Sequence, residues 1–225
     1  MILSPEEWGI VLLSLKVGIV AMLGLLPIAF GLAWLLARTR FPGKILLDAL
    51  VHLPLVLPPV VTGWLLLLLF APAGPLGFLS EQVLFRWTGA AIAAGVMALP
   101  LMVRAIRLSI EAVDRRLEDA ARTLGAGRWR VFRTITMPLS VPGLLAGTVL
   151  GFARALGEFG ATITFVSNVP GETETLPLAI YAALQVPGQD ATVWRLAAVS
   201  VAISLVALIA SELLARRAGR GAHAL

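Results

Sequence analysis

The chain has 225 residues, of which 59% are apolar and only 14% are charged, with a formal net charge of +5 and a mean hydropathy of +0.92. Helices with this balance face hydrocarbon rather than water, so the class is a polytopic membrane protein and the positive charge does not indicate nucleic acid as a partner. Cysteine is absent, which excludes disulfides and thiolate metal sites.

Five apolar stretches are long enough, or nearly so, to cross about 30 Å of hydrocarbon, which takes about 20 residues. They lie at 17–37, 50–71, 88–103, 141–166 and 196–215. The third is short, but Arg104 and Arg107 can snorkel from its end. We therefore expect an all-α fold in which residues 1–225 form a single transmembrane domain of about five helices.

The distribution of basic residues sets the orientation of the spans. The segments after spans 1, 3 and 5 hold 14 of the 18 basic residues: Arg38, Arg40, Lys44, Arg104, Arg107, Arg115, Arg116, Arg122, Arg128, Arg130, Arg133, Arg216, Arg217 and Arg220. With five spans, all three segments lie on one side, which should be cytoplasmic. The N-terminus is thus predicted outside and the C-terminus inside. The segment 176–185 is too short to span and is predicted to be an external amphipathic or re-entrant helix.

Span 2 contains three prolines, Pro54, Pro58 and Pro59, which remove helix hydrogen-bond donors and should kink or break it. Broken backbone at membrane depth is tolerated where it is buried or faces a water-filled cavity. Pro58 and the hydroxyl-bearing residues of spans 2 and 4 are therefore candidates for lining a water-filled path: Thr62, Thr162 and Thr164. Ordinary hydrogen bonding between helices explains the threonines equally well.

The segment 104–140 is a large basic loop between spans 3 and 4. Its residues 110–124 favour a helix, and Gly125 and Gly127 supply left-handed positions that end the helix and let the chain turn. Aromatic and apolar residues then recur at helical spacing, which predicts a second short amphipathic helix ending before Pro138. A loop that only satisfied the positive-inside rule would need neither this length nor these glycines.

Span 4 places three glycines four residues apart, a pattern that lets helix backbones approach closely. Arg154 and Glu158 follow at helical spacing on roughly the same face, which should point into protein. A charge in mid-helix costs about 3 kcal/mol on insertion scales, so the two side chains are predicted to pair. The pair either locks helices together or lines and gates a translocation route.

The basic loop resembles the EAA signature of the permeases of ABC importers, which has the form E-A-A-x3-G-x9-I-x-L-P. The chain keeps the spacing throughout as Asp119-Ala120-Ala121, Gly125 and Ile135-Thr136-Met137-Pro138, with Asp for Glu and Met for Leu at two positions. In that family the short helix around the motif lies in a cleft of the ATPase subunit and transmits its closure. The resemblance implies these ATPase-coupling residues: Glu118, Asp119, Ala120, Ala121, Gly125, Ile135 and Pro138.

Four further segments are similar to the permease subunits of bacterial molybdate importers: FPGK at 41–44, HLPLVLPPVVTG at 52–63, LPLMVRAIRL at 99–108 and LGEFGATITFVSNVPGET at 156–173. Sulfate and thiosulfate permeases are similar in places. This resemblance implies an inner-membrane homodimer that imports molybdate by alternating access. Its partners would be two cytoplasmic ABC ATPase subunits and a periplasmic or external oxyanion-binding protein.

The sequence contains no P-loop, since neither Lys16 nor Lys44 follows the required glycines. Catalytic triads and zinc-ligand spacings are also absent from it, and His52 and His223 are interpreted as a helix-end and a tail residue. We therefore expect no cofactor on this chain and ATP with Mg on a partner ATPase. An ATP-independent secondary transporter is the main alternative, but it should show an internal repeat or several intramembrane ionisable residues. A membrane enzyme comes third, and tungstate or sulfate remains open as substrate.

Overall fold

The computed structural model describes residues 3–222, and within that range it contains helices and no β-strand. His223, both chain ends and the side chains of the basic tail lie outside the described part. The helices are α1 (Pro5–Arg38), α2 (Lys44–Val56), α3 (Pro59–Phe70), α4 (Ser80–Val83), α5 (Trp87–Glu111), α6 (Arg115–Thr123), α7 (Arg128–Val131), α8 (Met137–Leu156), α9 (Gly160–Val166), α10 (Leu176–Leu184) and α11 (Asp190–Ala222).

Four helical segments are long and apolar enough to cross a membrane, namely α1, α5, the run Arg128–Leu156 and the first part of α11. Helices α2 and α3 together pass the same test, but their axes are bent by 115° at the break between them. The prediction of an all-α protein with about five spans is confirmed. The side on which each terminus lies stays a prediction.

Helix α1 begins earlier than the predicted first span, at Pro5 rather than at residue 17. Ser4 and Glu7 form a capping box, in which Glu7 N donates to Ser4 Oγ at 3.2 Å and Ser4 N donates to Glu7 Oε2 at 2.7 Å. Lys16 does not end the helix, because its Nζ lies 3.7 Å from the ring centroid of Trp87 on α5. The charge just before the predicted span therefore has a tertiary partner.

Helix α5 is the centre of the fold and packs against α1 on one side and α8 on the other. Its contact face consists of small residues and of fully buried Met102 and Ile106. The predicted glycine face of span 4 packs here, since a Cβ at Gly151 would lie 2.6 Å from Met102 Cγ and one at Gly147 would lie 3.2 Å from Met102 O. The expectation that this face points into protein is confirmed.

Pro58 and Pro59 break span 2 between α2 and α3, as predicted, whereas Pro54 lies inside the continuous helix α2. Leu57 is extended, with φ −70° and ψ 143°, because the residue before a proline avoids the helical region. Beyond the bend, α3 packs along α9, while Val60, Trp64 and Leu68 remain exposed on its other face.

Span 4 differs from the prediction at both ends. The predicted second loop helix does not stop before Pro138, because α7, a π-helical turn at Phe132–Thr136 and α8 form one continuous helix. In the π turn Met137 N donates to Phe132 O, five residues back, which widens the helix just before the proline that lacks a donor. At the other end α8 stops at Leu156, and a three-residue break separates it from α9. The predicted single span of 141–166 was therefore wrong.

The short segment predicted at 176–185 forms α10, nine residues long, which packs between α1 and α11. Leu176 N donates to Ser14 Oγ at 2.7 Å, and Leu176 lies in one apolar cluster with Val11 and Leu196. Nearby, Arg195 Nη2 lies 2.7 Å from Oε1 of buried Glu7. These contacts fix the first part of α11 against the start of α1.

Candidate functional site

The basic loop folds into a helical hairpin of α6 and α7. The predicted helix over 110–124 was wrong in its start, because α5 ends at Glu111 and Asp114 begins a new helix. Asp114 Oδ1 accepts a hydrogen bond from Arg116 N at 2.9 Å, the usual action of an aspartate N-cap. The hairpin is thus separated from the membrane helix by a defined turn.

Gly125 makes the turn between the two helices of the hairpin, with φ +85°. Gly125 N donates to Arg122 O at 2.9 Å and Ala126 N donates to Ala121 O at 3.0 Å, which together form a Schellman motif. The prediction of a left-handed Gly125 is confirmed. The same prediction for Gly127 was wrong, since Gly127 is extended, with φ −66° and ψ 161°, and begins α7.

Glu118 on α6 is buried, and its carboxylate binds groups from other parts of the chain. Oε1 accepts from Arg38 Nη2 at 2.8 Å and from Thr136 Oγ1 at 2.7 Å. The same Arg38 nitrogen also donates to Ile110 O at 3.1 Å, at the end of α5. Glu118 therefore ties α6 to α1, to the π turn and, through Arg38, to α5.

This burial changes the interpretation of Glu118, which the sequence placed among the coupling residues. Only 7% of Glu118 is exposed, and its carboxylate binds groups of this chain that position α6. Sequence reasoning missed its partners, since Arg38 was interpreted only as a charge that sets orientation. A signal was available: Glu118 and Asp119 are adjacent carboxylates on a helix, so they point in different directions.

The other coupling residues lie mostly on the outside of the hairpin. Asp119, Ala120, Gly125 and Pro138 are exposed, while Ala121 and Ile135 are partly buried. Large apolar side chains are exposed beside them: Leu117 at 50%, Leu124 at 89% and Trp129 at 68%. We call Leu117, Asp119, Ala120, Leu124 and Trp129 the coupling surface. Exposed apolar side chains rimmed by charge are typical of a protein–protein contact.

Arg154 and Glu158 lie at the junction between α8 and α9. Arg154 Nη1 is 2.6 Å from Glu158 Oε2, and Glu158 is only 3% exposed. The two residues do not share one continuous helical face, as the sequence suggested, because α8 ends at Leu156. Instead Glu158 Oε1 accepts from Ala161 N at 2.8 Å, so the carboxylate both pairs with α8 and caps α9.

The packing of α3 against α9 is close because small residues face each other. A Cβ on Gly63 would lie 2.9 Å from Ala161 Cα and from Thr164 Cβ. The rings of Phe70 and Phe165 meet farther along, with centroids 5.6 Å apart. These contacts fix α9 parallel to α3, next to the proline break.

The four candidate path residues of spans 2 and 4, Pro58, Thr62, Thr162 and Thr164, lie near the contact between α3 and α9, which we call the α3–α9 seam. They do not line one open channel. Thr62 and Thr162 are buried, at 5% and 2% exposure, and Thr164 Oγ1 donates to Gly160 O at 2.9 Å within its own helix. Pro58 is exposed at the bend. Thr62 Oγ1 has no hydrogen-bond partner among residues 3–222.

His52 lies on α2 beside charged groups at the end of α5. Its Nδ1 is 3.2 Å from Asp48 Oδ1, and Arg107 Nη1 is 3.0 Å from Asp48 Oδ2. In the described part of the chain there is no group of three or more histidine and acidic side chains that could hold a metal ion. His52 is thus a polar side chain bound within its helix.

Comparisons with known proteins bear on this arrangement. The family described as binding-protein-dependent transport system inner membrane component matches residues 26–220. The chain is 57% identical over 232 aligned positions to the molybdenum transport system permease protein ModB of Escherichia coli strain K12, covering 98% of this chain and 100% of that protein. It is 41% identical over 200 positions to the sulfate transport system permease protein CysT of Salmonella typhimurium, covering 85% of this chain and 71% of that protein.

Among solved structures, that of a bacterial alginate ABC transporter in complex with an alginate pentasaccharide-bound periplasmic protein has a similar fold. The TM-score is 0.76 at 17% sequence identity, covering 95% of this chain and 80% of that chain. At this identity the likeness concerns the fold, and it includes nearly all the helices described above.

Proposed function

The chain belongs to the family of binding-protein-dependent transport system inner membrane components, and from this premise we propose that it is the permease subunit of an ATP-driven importer of molybdate. It is a multi-pass protein of the inner membrane. The substrate is supported by the 57% identity to a molybdenum permease along its whole length. The sulfate permease is less similar and is matched over 71% of its length.

The hairpin of α6 and α7 is the observation that supports ATP-driven transport. Its inner side is fixed to the membrane helices by Glu118, while its outer side presents Leu124 and Trp129 without cover. An element held rigidly on one side and exposed on the other is suited to receive a movement from a partner. We assign that partner as a pair of cytoplasmic ATPase subunits. ATP and Mg bind to those subunits and not to this chain.

Transport would proceed by alternating access in a homodimer. ATP binding would close the two ATPase subunits, bring the coupling surfaces together and favour an outward-facing state that receives the oxyanion from an external binding protein. Hydrolysis resets the cycle, and the differential affinity of ATP for the two states drives it. The exposed face of α3, with Val60, Trp64 and Leu68, supports a second copy of the chain as the other wall of the path.

The coupling assignment is tested with Gly125→Val, measured as ATP-dependent molybdate uptake by vesicles containing the full transporter. A β-branched residue at φ +85° is strained, so the hairpin turn should open and uptake should fall about tenfold. The matched control is Gly127→Ala, where φ is −66° and a Cβ meets nothing within 4 Å. Unchanged uptake in Gly125→Val would refute the role of this turn.

The substrate and the energy source are separated by a second measurement on the unaltered transporter. Molybdate uptake should require ATP, and unlabelled tungstate should compete better than sulfate because it is the closer chemical mimic of molybdate. Uptake that persists without ATP would favour the secondary transporter. Uptake in which sulfate competes best would assign the chain to sulfate while leaving the ATP-driven mechanism intact.

A further inference from the structure

An apolar groove lies on the surface between α1 and α5, along residues 20–28 of α1 and 88–96 of α5. Its volume is about 400 Å³, and apart from Thr88 the residues that line it are apolar. The groove is open because two of these residues have no side chain. A Cβ at Gly24 would meet nothing within 4 Å, and one at Gly95 would reach only a single methyl group, at 4.0 Å. The groove therefore suits a hydrocarbon chain or another apolar surface.

The groove lies within the part of α1 that crosses the membrane. Residues 17–37 of α1 carry no charge and extend over about 31 Å at 1.5 Å per residue, which is the thickness of the hydrocarbon core. The groove begins about one turn after the start of this run and occupies about 12 Å of it. Val20 and Ile28, at its two ends, are 39% and 56% exposed. The groove is thus open toward the hydrocarbon in one half of the bilayer.

Lys16 lies at the end of this groove, immediately before the charge-free run of α1. Lys16 is exposed, and its contact with the ring of Trp87, the first residue of α5, holds the ammonium group beside the groove at 3.7 Å from the ring centroid. None of the ion pairs within residues 3–222 includes Lys16.

The surroundings of Lys16 make an unpaired charge costly. Leu12 and Ile19 lie one turn before and after it on the same face of α1, and they are 60% and 50% exposed. The ammonium group is therefore set in an apolar surface at the boundary of the hydrocarbon, where a charge needs a partner of opposite sign. A tryptophan at the end of a membrane helix is typical of the same boundary. The groove thus combines apolar walls with one cation at its end.

We propose that this groove binds one phospholipid, with its phosphate group against Lys16 and one acyl chain between α1 and α5. The phosphate supplies the negative charge that Lys16 lacks, through a charge-assisted hydrogen bond from the ammonium group. The upper part of the acyl chain fills the space at Gly24 and Gly95. A free phosphate ion would leave the apolar walls uncovered, and an apolar helix of another protein would leave Lys16 without a counter-ion. A phospholipid satisfies both parts of the site.

The proposal is tested by titrating the purified full-length permease, in a non-ionic detergent, with phosphatidylglycerol and counting bound lipid by native mass spectrometry. Two variants separate the two parts of the site: Lys16→Gln removes the charge, and Gly24→Leu fills the groove. Lys16→Arg is the control for the first, because it keeps the charge. Gly31→Leu is the control for the second, because it adds the same side chain to the same helix outside the groove. A Cβ at either glycine meets nothing within 4 Å, so neither leucine overpacks the fold.

We expect the unaltered protein, Lys16→Arg and Gly31→Leu to bind phosphatidylglycerol alike. Lys16→Gln and Gly24→Leu should each bind it at least about tenfold more weakly, since each removes one of the two parts of the site. The thermal unfolding midpoint without lipid should be the same for Gly24→Leu and Gly31→Leu, which shows that the lost binding is not lost folding.

Three results would overturn the proposal. Unchanged lipid affinity in Lys16→Gln or in Gly24→Leu would place the lipid elsewhere. Displacement of the lipid by an equal concentration of inorganic phosphate would mean that the site recognises the anion without the chain. Weaker association of two copies of the permease in Gly24→Leu, but not in Gly31→Leu, would mean that a second copy covers the groove.

Discussion

Glu118 and Glu158 are both buried carboxylates bound to an arginine, but they hold different kinds of structure. Glu118 binds Arg38, 80 residues before it, and Thr136, 18 residues after it, while Arg122 in its own helix lies farther away, at 3.8 Å. The partners of Glu158 lie four residues before and three residues after it. The arginines differ as well, since 11% of the Arg38 side chain is exposed against 27% for Arg154.

A buried arginine–glutamate pair can therefore hold distant parts of the chain together, as at Glu118, or join two neighbouring helices, as at Glu158. We call Glu118 with its partners Arg38 and Thr136 the Glu118 anchor. It holds the hairpin to α1, α5 and the π turn. If the hairpin moved alone, this buried carboxylate would lose its hydrogen-bond donors. The pair of Arg154 and Glu158, which we call the clasp, only joins the end of α8 to the start of α9, and its arginine is less buried than Arg38. The α8–α9 junction can therefore open at a lower cost than the hairpin can detach.

The largest effect is expected for Glu118→Ala, which leaves Arg38 buried without its partner. Breaking a buried pair in this way typically costs about 3–5 kcal/mol. We expect a strong drop in the thermal unfolding midpoint in detergent and loss of uptake. The neighbouring exposed carboxylate provides the control, since Asp119→Ala should cost at most about 1 kcal/mol. The comparison uses the unfolding midpoint alone, because Asp119 belongs to the coupling surface and its loss could reduce uptake by itself. Equal drops of the midpoint in the two variants would show that the Glu118 contacts contribute no more than an exposed ion pair.

A smaller effect is expected at the clasp, where Arg154→Ala and Glu158→Ala should each cost about 2–3 kcal/mol because Arg154 is less buried than Arg38. The double variant should recover much of the loss, as no charge then remains unpaired. Thermal unfolding of the four proteins gives the coupling energy. Strictly additive losses would mean that the residues have separate partners. A double variant that folds but does not transport would favour a gating role.

Whether α9 is held by the clasp or by packing is decided by Gly63→Ala. The added methyl group would press on Ala161 and Thr164, and overpacking of this kind costs about 1–3 kcal/mol. The control is Gly24→Ala in α1, where a Cβ meets nothing within 4 Å and alanine is the better helix former. Equal unfolding midpoints for the two variants would show that α3 and α9 can move apart at little cost. The pair of Arg154 and Glu158, rather than this packing, would then hold α9 in place.

The smallest effect is expected for Thr136→Val, which removes one of the hydrogen bonds to Glu118 and keeps the shape. The loss should be about 1 kcal/mol, seen as a small shift of the unfolding midpoint. Thr134→Val is the control, because the Thr134 hydroxyl bonds only within its own exposed helix turn. A larger loss than that of Glu118→Ala would contradict the view that the carboxylate organises the anchor.

Local signals made much of the fold predictable. Hydropathy located the spans, the prolines of span 2 located the break before α3, and Gly125 located the turn of the hairpin. Each of these depends on a few neighbouring residues, such as a proline without a donor or a glycine that tolerates positive φ. The coupling role of the residues around Gly125 comes from the family resemblance and stays a prediction.

The features that the sequence did not reveal depend on distant partners or on a change of helix type. Span 1 was placed from residue 17, just after Lys16, and the contact of Lys16 with Trp87 could not be seen from the sequence. Pro138 looked like a stop because a π turn ahead of it is not encoded by periodicity. The Glu118 anchor could not be predicted, because its partner Arg38 lies 80 residues earlier in the sequence.

The unbroken helix from Arg128 to Leu156 has a mechanical consequence. Its 29 residues make a rod about 43 Å long, at 1.5 Å per residue, with one end in the hairpin and the other at the clasp. A tilt of about 10° applied at the hairpin end would displace the far end by about 7 Å, given that length. In the proposed transport cycle, this rod would carry a movement of the hairpin to the break between Leu156 and Gly160, so the membrane part of the chain would need no second hinge.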